Sequence, residues 1–254
     1  MIERKYISKW MLIISFAYFV FIMILNIMMR GTSNSLFDYL VNMRWGGSAS
    51  LLTLTIGVLP LLVLGLPLLI DRFESDMIVI RIKRKRRLFY EHFMLCLVLS
   101  AGFTFLMIIG GIVASLLATG QLHNLWGTKG GTIYFLLENK AFFPLYIPHV
   151  SSIKVWSYII MSRFLATLFL GVMVVFLKAL LTKNSFVFFV SLILLGIDSG
   201  LPGNISYFVG RANISLNTWL SPGDQFFNLF YFVFLITVFS VICLKLYDKK
   251  EFQR

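Results

Sequence analysis

The chain has 254 residues, of which 59% are hydrophobic and 13% charged, about half the charge of an ordinary globular domain, where roughly 25% is usual. With a mean hydropathy of +0.86 it carries more apolar surface than a soluble fold can hide, and this excludes a water-soluble domain. The net charge of +12 must therefore be placed against a bilayer before it is read as a nucleic-acid signal.

A hydrocarbon core some 30 Å thick is crossed by about 20 apolar residues in a helix, and 254 residues leave room for six such spans in one domain, 1–254. The first covers about 10–29, broken only by neutral polar residues such as Ser15 and Asn26. It is too long for a signal-peptide core and no small-residue cleavage site follows it. From 31 to 50 the chain turns polar, yet Leu36, Tyr39, Leu40 and Met43 recur at helical spacing. A short interfacial helix and a helix packed into the core are both consistent with that pattern.

The second span, about 51–70, contains Pro60 and Pro67. A helix in lipid tolerates proline where a neighbour satisfies the carbonyl it frees. The third, about 93–118, carries Gly110 and Gly111, small residues that permit close helix contact. A long irregular stretch follows, with "GTKGGT" and with Pro144 and Pro148. The fourth span covers about 158–181, with Arg163 near its start and expected to snorkel to the interface. A short link predicts a fifth span, 186–200, antiparallel to it. That span is short and ends in "GIDSGLPGN": either it tilts into a thin region, or it continues into a broken, re-entrant element over 200–220 before the sixth span, 226–244.

Basic residues stay on the cytoplasmic side of a membrane. Arg4, Lys5, Lys9, Arg72, the 81–87 run, Lys178, Lys183, Lys245, Lys249, Lys250 and Arg254 fall in one set of loops. Only Arg30, Arg44, Lys129, Lys140, Lys154 and Arg211 fall in the other. The fold class expected is thus all-α: a polytopic six-helix transmembrane bundle in the cell membrane, with both termini cytoplasmic.

Catalytic chemistry is hard to find. His92, His123 and His149 do not have metal-site spacing and read as solvated or interfacial residues; Cys96 and Cys243 lie in apolar runs and read as packing residues. "GGSAS" lacks the glycine after a nucleophilic serine, and "GTKGGT" does not have the order of a phosphate-binding loop. No enzyme activity, metal or cofactor is expected in this chain. Asp198 and Arg163 are the ionisable residues nearest to a span interior, and snorkelling or loop capping outweighs a proton relay for both.

The loop 71–92 is divided. Asp71, Glu74 and Asp76 precede "MIVI", and Arg81, Lys83, Arg84, Lys85, Arg86 and Arg87 follow it. If 73–82 is helical, Phe73, Met77 and Ile80 share a face, with acidic residues at its N-terminal end and basic ones at its C-terminal end, an order that favours a helix. The alternative is a solvated loop whose basic residues touch anionic lipid heads, at about 1 kcal/mol each. Pinned at the membrane, the block is not a nucleic-acid surface.

This order of features, with "IVIRIKRKRRLFYEHF", resembles the permease subunits of type-2 ABC exporters, particularly the small ones of Gram-positive bacteria. Arg81 matches their first arginine, Lys85 to Arg87 their basic cluster, and Leu88 and Phe89 stand near their usual aromatic. Arg84 stands where they often carry a small polar residue. The resemblance implies a coupling helix in 71–92 seated on a separate ATP-binding subunit through Phe73, Glu74, Asp76, Met77, Ile80 and Arg81. Lys83, Arg84, Lys85, Arg86 and Arg87 would touch anionic lipid or that partner, and Lys178 and Lys183 would make a second cytoplasmic contact. ATP and Mg would be bound by the partner, and a second permease copy or a paralogue would complete the transporter. The expected cargo is an amphipathic peptide, a lipid or a hydrophobic antimicrobial compound. A channel or secondary transporter acting without an ATPase, and a membrane-embedded enzyme, are the alternatives.

Overall fold

In the computed structural model, residues 2–29, 34–41, 43, 46–73, 85–181, 183–203 and 205–249 are described, and every regular element among them is helical. The helices are α1 (Ile2–Met28), α2 (Leu36–Leu40), α3 (Leu59–Phe73), α4 (Lys85–Thr119), α5 (Thr132–Leu136), α6 (Phe143–Tyr146), α7 (Ser152–Leu180), α8 (Asn184–Ser199), α9 (Val209–Ala212), α10 (Leu216–Leu220) and α11 (Pro222–Lys249). Four stretches, Thr53–Arg72, Arg86–Thr119, Ser152–Leu180 and Pro222–Asp248, are long and apolar enough to cross a membrane. Two shorter apolar stretches, Ile13–Met28 and Asn184–Ser199, join them. At 1.5 Å per residue the latter is about 24 Å long.

Side chains differ sharply between these helices. The α7 stretch is mostly buried, whereas few residues of the α4 and α11 stretches are buried. The exposed residues of the last two include Val98, Phe105, Phe226, Phe230 and Phe234. Water would not tolerate so much large apolar surface, and a hydrocarbon environment would. Four long apolar helices with such surfaces fit a membrane protein.

The chain divides into two compact units. The first is drawn from Met1–Leu61, Leu106–Val155 and Ile214–Leu220. In it, α2 has all five residues buried, so of the two readings for 31–50 core packing holds. Its Asp38 carboxylate accepts from Trp126 Nε1 at 2.8 Å and from Thr132 Oγ1 at 2.6 Å. Trp126 in turn meets Phe37 and Trp219, each with ring centroids 5.3 Å apart. The "GTKGGT" stretch makes the turn that delivers Thr132: Thr128 N donates to Leu125 O and Gly131 N to Thr128 O. Its role is architectural. Ser48 of "GGSAS" donates to the Met107 carbonyl at 2.6 Å, and is a tether.

The two glycines singled out in α4 do allow close approach. A Cβ on Gly111 would lie 2.5 Å from Leu40 Cδ2 and 2.7 Å from Ser48 Oγ, and one on Gly110 would strike Met23. Pro60 has no N–H to bond the carbonyl four residues back, Ile56, and Tyr18 of α1 donates its hydroxyl to that carbonyl at 2.7 Å. Just before the proline, Thr53–Val58 is wound as a π-helix.

The second unit is drawn from Leu62–Phe105, Trp156–Asn213 and Ser221–Arg254. Its interior holds Phe169 against Phe208, Phe232 and Phe239. Cys96 and Cys243 are buried free thiols, as expected. Gly171 presses on Cys96, where a Cβ would lie 3.3 Å from Sγ.

Candidate functional site

Four sets of polar side chains stand out in the second unit. At the end of α3 and the α7–α8 turn, Asp71, Lys178 and Asn184 close a ring. Lys178 Nζ lies 2.7 Å from Asp71 Oδ1 and donates to Asn184 Oδ1 at 2.6 Å, while Asn184 Nδ2 donates to Asp71 Oδ2 at 2.7 Å. Lys178 is almost fully buried, its long apolar stem packed and its ammonium spent inside the protein. Lys183, by contrast, is exposed and lies over the Phe186 ring.

The second set joins the first turns of α4 to the end of α11. Arg86 grips Asp248 through its Nε/Nη2 edge, Nη2 lying 2.7 Å and Nε 2.9 Å from Oδ2. Arg87 pairs with Glu91 one turn on, at 3.3 Å. Helix α4 starts earlier than the 93–118 expected, so that Lys85, Arg86 and Arg87 form its first turn. That is an unfavourable place for cations in the field of the helix dipole, which the Asp248 and Glu91 carboxylates offset.

Beside it, His92 is fully buried with Nδ1 2.7 Å from the Tyr247 hydroxyl. The expected solvated histidine is therefore an interior one, because α4 turns that face onto α11. His123 is exposed, and no group of His, Cys, Asp or Glu among the described residues could hold a metal ion.

The remaining set contains the two ionisable residues that the sequence placed near span interiors. Asp198, fully buried at the end of α8, accepts from Ser206 Oγ at 2.9 Å, Tyr207 N at 2.7 Å, Phe208 N at 3.1 Å and Val209 N at 2.6 Å. Four donors compensate the carboxylate and gather 206–209 into the start of α9. Of the two structural readings for Asp198, snorkelling or loop capping, the carboxylate caps the loop. Burial first, then the Asp198 charge and Tyr231, push the Tyr207 hydroxyl above its ordinary pKa.

Arg163 departs from expectation. Helix α7 begins six residues before the expected span, so Arg163 lies about 16 Å along it and is fully buried instead of snorkelling. Its Nη1 donates to the Ala212 carbonyl at 2.6 Å. The 206–212 stretch is thus held by a buried anion at its start and a buried cation at its end. Arg211 lies outside this clasp, with its guanidinium over the rings of Phe227 and Tyr231 at 5.0 and 5.5 Å.

The sequence singled out Asp198 and Arg163 one at a time, because a charge in an apolar run is conspicuous; nothing in the pattern said that both act on one segment. Of the residues expected to dock an ATPase, Glu74, Asp76, Met77, Ile80 and Arg81, with Lys83 and Arg84, lie outside the described residues. Phe73 ends α3 and Lys85 opens α4.

Compared with family models, curated proteins and solved structures, the chain matches none.

Proposed function

We propose that this chain is the membrane-spanning permease subunit of an ATP-driven ABC exporter. In this reading α1 and α8 complete a six-span bundle with cytoplasmic termini. Two permease subunits work with two copies of a separate ATPase, which binds ATP and Mg. The cargo is an amphipathic peptide, a lipid or a hydrophobic antimicrobial compound.

The observation that carries the reading is the Asp71–Lys178–Asn184 ring. Asp71 stands where the chain leaves α3 for the loop expected to seat on the ATPase, and Lys178 and Asn184 bracket the turn expected to make the lesser contact. A displacement of the loop reaches α7, the most buried of the long helices, through an ion pair and two hydrogen bonds. This is the rigid transmission that an ATP-driven rearrangement needs. Lys178 then serves to transmit force between the two contacts, and Lys183 remains the side chain offered outward.

Mild solubilisation of the native membrane tests the reading directly: an ABC ATPase should copurify in fixed stoichiometry. Reversing the charges of Glu74 and Asp76, or placing proline at Ile78, should uncouple ATP hydrolysis from transport without impairing insertion. A channel or secondary carrier is the rival, favoured by the buried Arg163, since ionisable groups inside spans mark ion and substrate paths. Transport by the purified chain alone, with no copurifying ATPase, would establish the rival instead.

A further inference from the structure

We propose that Arg163 and Thr167 form a binding site for the anionic head, a carboxylate or a phosphate, of an amphiphile. The two residues lie one turn apart on α7, so their side chains share a helical face. Both are fully buried. Arg163 uses Nη1 for the Ala212 carbonyl, while its Nε and Nη2, with Thr167 Oγ1, have no hydrogen-bond partner among the described residues. A guanidinium removed from water is not compensated by one neutral carbonyl. The atoms left over are one edge of the guanidinium and a hydroxyl one turn on, all able to donate.

Nε and Nη2 are the two nitrogens of one planar edge, which holds a carboxylate or phosphate by parallel bonds. The protein itself shows this edge in use: Arg86 holds Asp248 with Nε and Nη2. Within the same unit, the Asp198 carboxylate is turned to Ser206 and the N–H groups of residues 207–209 and makes no ion pair with Arg163. Thr167 adds a hydroxyl one turn on, able to donate to a further oxygen of the head. Phe164, Leu165, Ala166, Leu168 and Phe169 flank the pair in sequence, and the polar residues of α7 nearest to it are Tyr158 and Ser162. A head carried on an apolar body suits such surroundings, whereas a bare hydrated ion would have to shed its water among them. The site does not depend on the ATP-driven reading, and its occupant could be a bilayer lipid or a free amphiphile, since the head chemistry is shared.

The test uses the full chain purified in dodecyl maltoside and titrated with dodecyl phosphate, binding being followed by tryptophan fluorescence. Dodecanol and inorganic phosphate serve as controls. Dodecyl phosphate should bind saturably, at least tenfold more tightly than either control. Affinity should fall at least tenfold in Arg163→Gln and about threefold in Thr167→Val, and stay unchanged in Lys129→Gln, at an exposed lysine with no assigned role. Where Arg163→Gln does not fold, Arg163→Lys decides: it keeps the charge, loses the planar edge and should bind several-fold more weakly.

In parallel, native mass spectrometry of chain from phosphatidylglycerol and phosphatidylcholine nanodiscs identifies the source. Retention of phosphatidylglycerol that depends on Arg163 makes a lipid head the occupant. Binding of dodecyl phosphate without such retention makes it a free amphiphile. Equal affinity for dodecanol, or wild-type affinity in both Thr167→Val and the folded Arg163 variant, overturns the proposal.

Discussion

Arg86 and Arg163 belong to the same unit and have opposite fates. Arg86 is exposed and binds a whole carboxylate through one edge of its guanidinium. Arg163 is fully buried and binds one backbone carbonyl. Electrostatics alone would arrange them the other way round, since the desolvated charge has the greater need of a counter-charge. An exposed pair is close to neutral for stability because water and salt compete for it, so the Arg86–Asp248 contact steers orientation more than it stabilises. In the binding site proposed above, the placing of Arg163 trades stability for function.

The largest effect in this comparison should come from Asp198. Asp198→Ala strands three backbone N–H groups and the Ser206 hydroxyl, and should cost about 3–5 kcal/mol. Thermal unfolding in detergent would report the loss, and proteolysis of the 200–213 stretch should accelerate. Lys178→Ala comes next, at about 2 kcal/mol: it breaks a ring whose lysine is buried but whose Asp71 partner is half exposed. A double-mutant cycle with Asp71→Asn should show coupling.

Arg163→Met should have the opposite sign. An apolar side chain of similar length relieves the desolvation, and the unfolding temperature should hold or rise, by the equivalent of about 1 kcal/mol. A clear fall would mean that Arg163 is a structural residue and would remove the contrast with Arg86. Arg86→Ala should give the smallest change, an unfolding temperature within experimental scatter at any salt concentration.

What could be read from the chain followed the range of the interactions. The stretches Thr53–Arg72, Arg86–Thr119, Ser152–Leu180 and Pro222–Asp248 overlap the expected runs 51–70, 93–118, 158–181 and 226–244, the second and third starting seven and six residues early, because twenty successive apolar residues are a local property that needs no partner. The capping role of Asp198 was also accessible, the groups that donate to its carboxylate lying only 8 to 11 residues away. The burial of His92 was not: its partner Tyr247 is 155 residues distant, and a histidine near a basic run looks like a surface residue until another helix covers it. Arg163 was misjudged for a related reason. The expected span began at 158, but an apolar stretch does not say where its helix starts, and six further residues placed the arginine deeper.

Pro60 shows the division at a single atom. That proline in a helix leaves the carbonyl four residues back without its donor follows from covalent structure alone, so the need at Ile56 was written in the order of residues. That Tyr18, 38 residues earlier, supplies the hydroxyl at 2.7 Å was decided only when α1 packed beside the Thr53–Val58 turn. The same holds for the chain at large. Apolar length, positive charge and proline chemistry act through neighbours in sequence and declared a helical membrane protein. The joining of Asp198 and Arg163 on one segment, and of Asp71 with Lys178 and Asn184, came from tertiary packing, because a desolvated charge takes its partners from whatever folds against it.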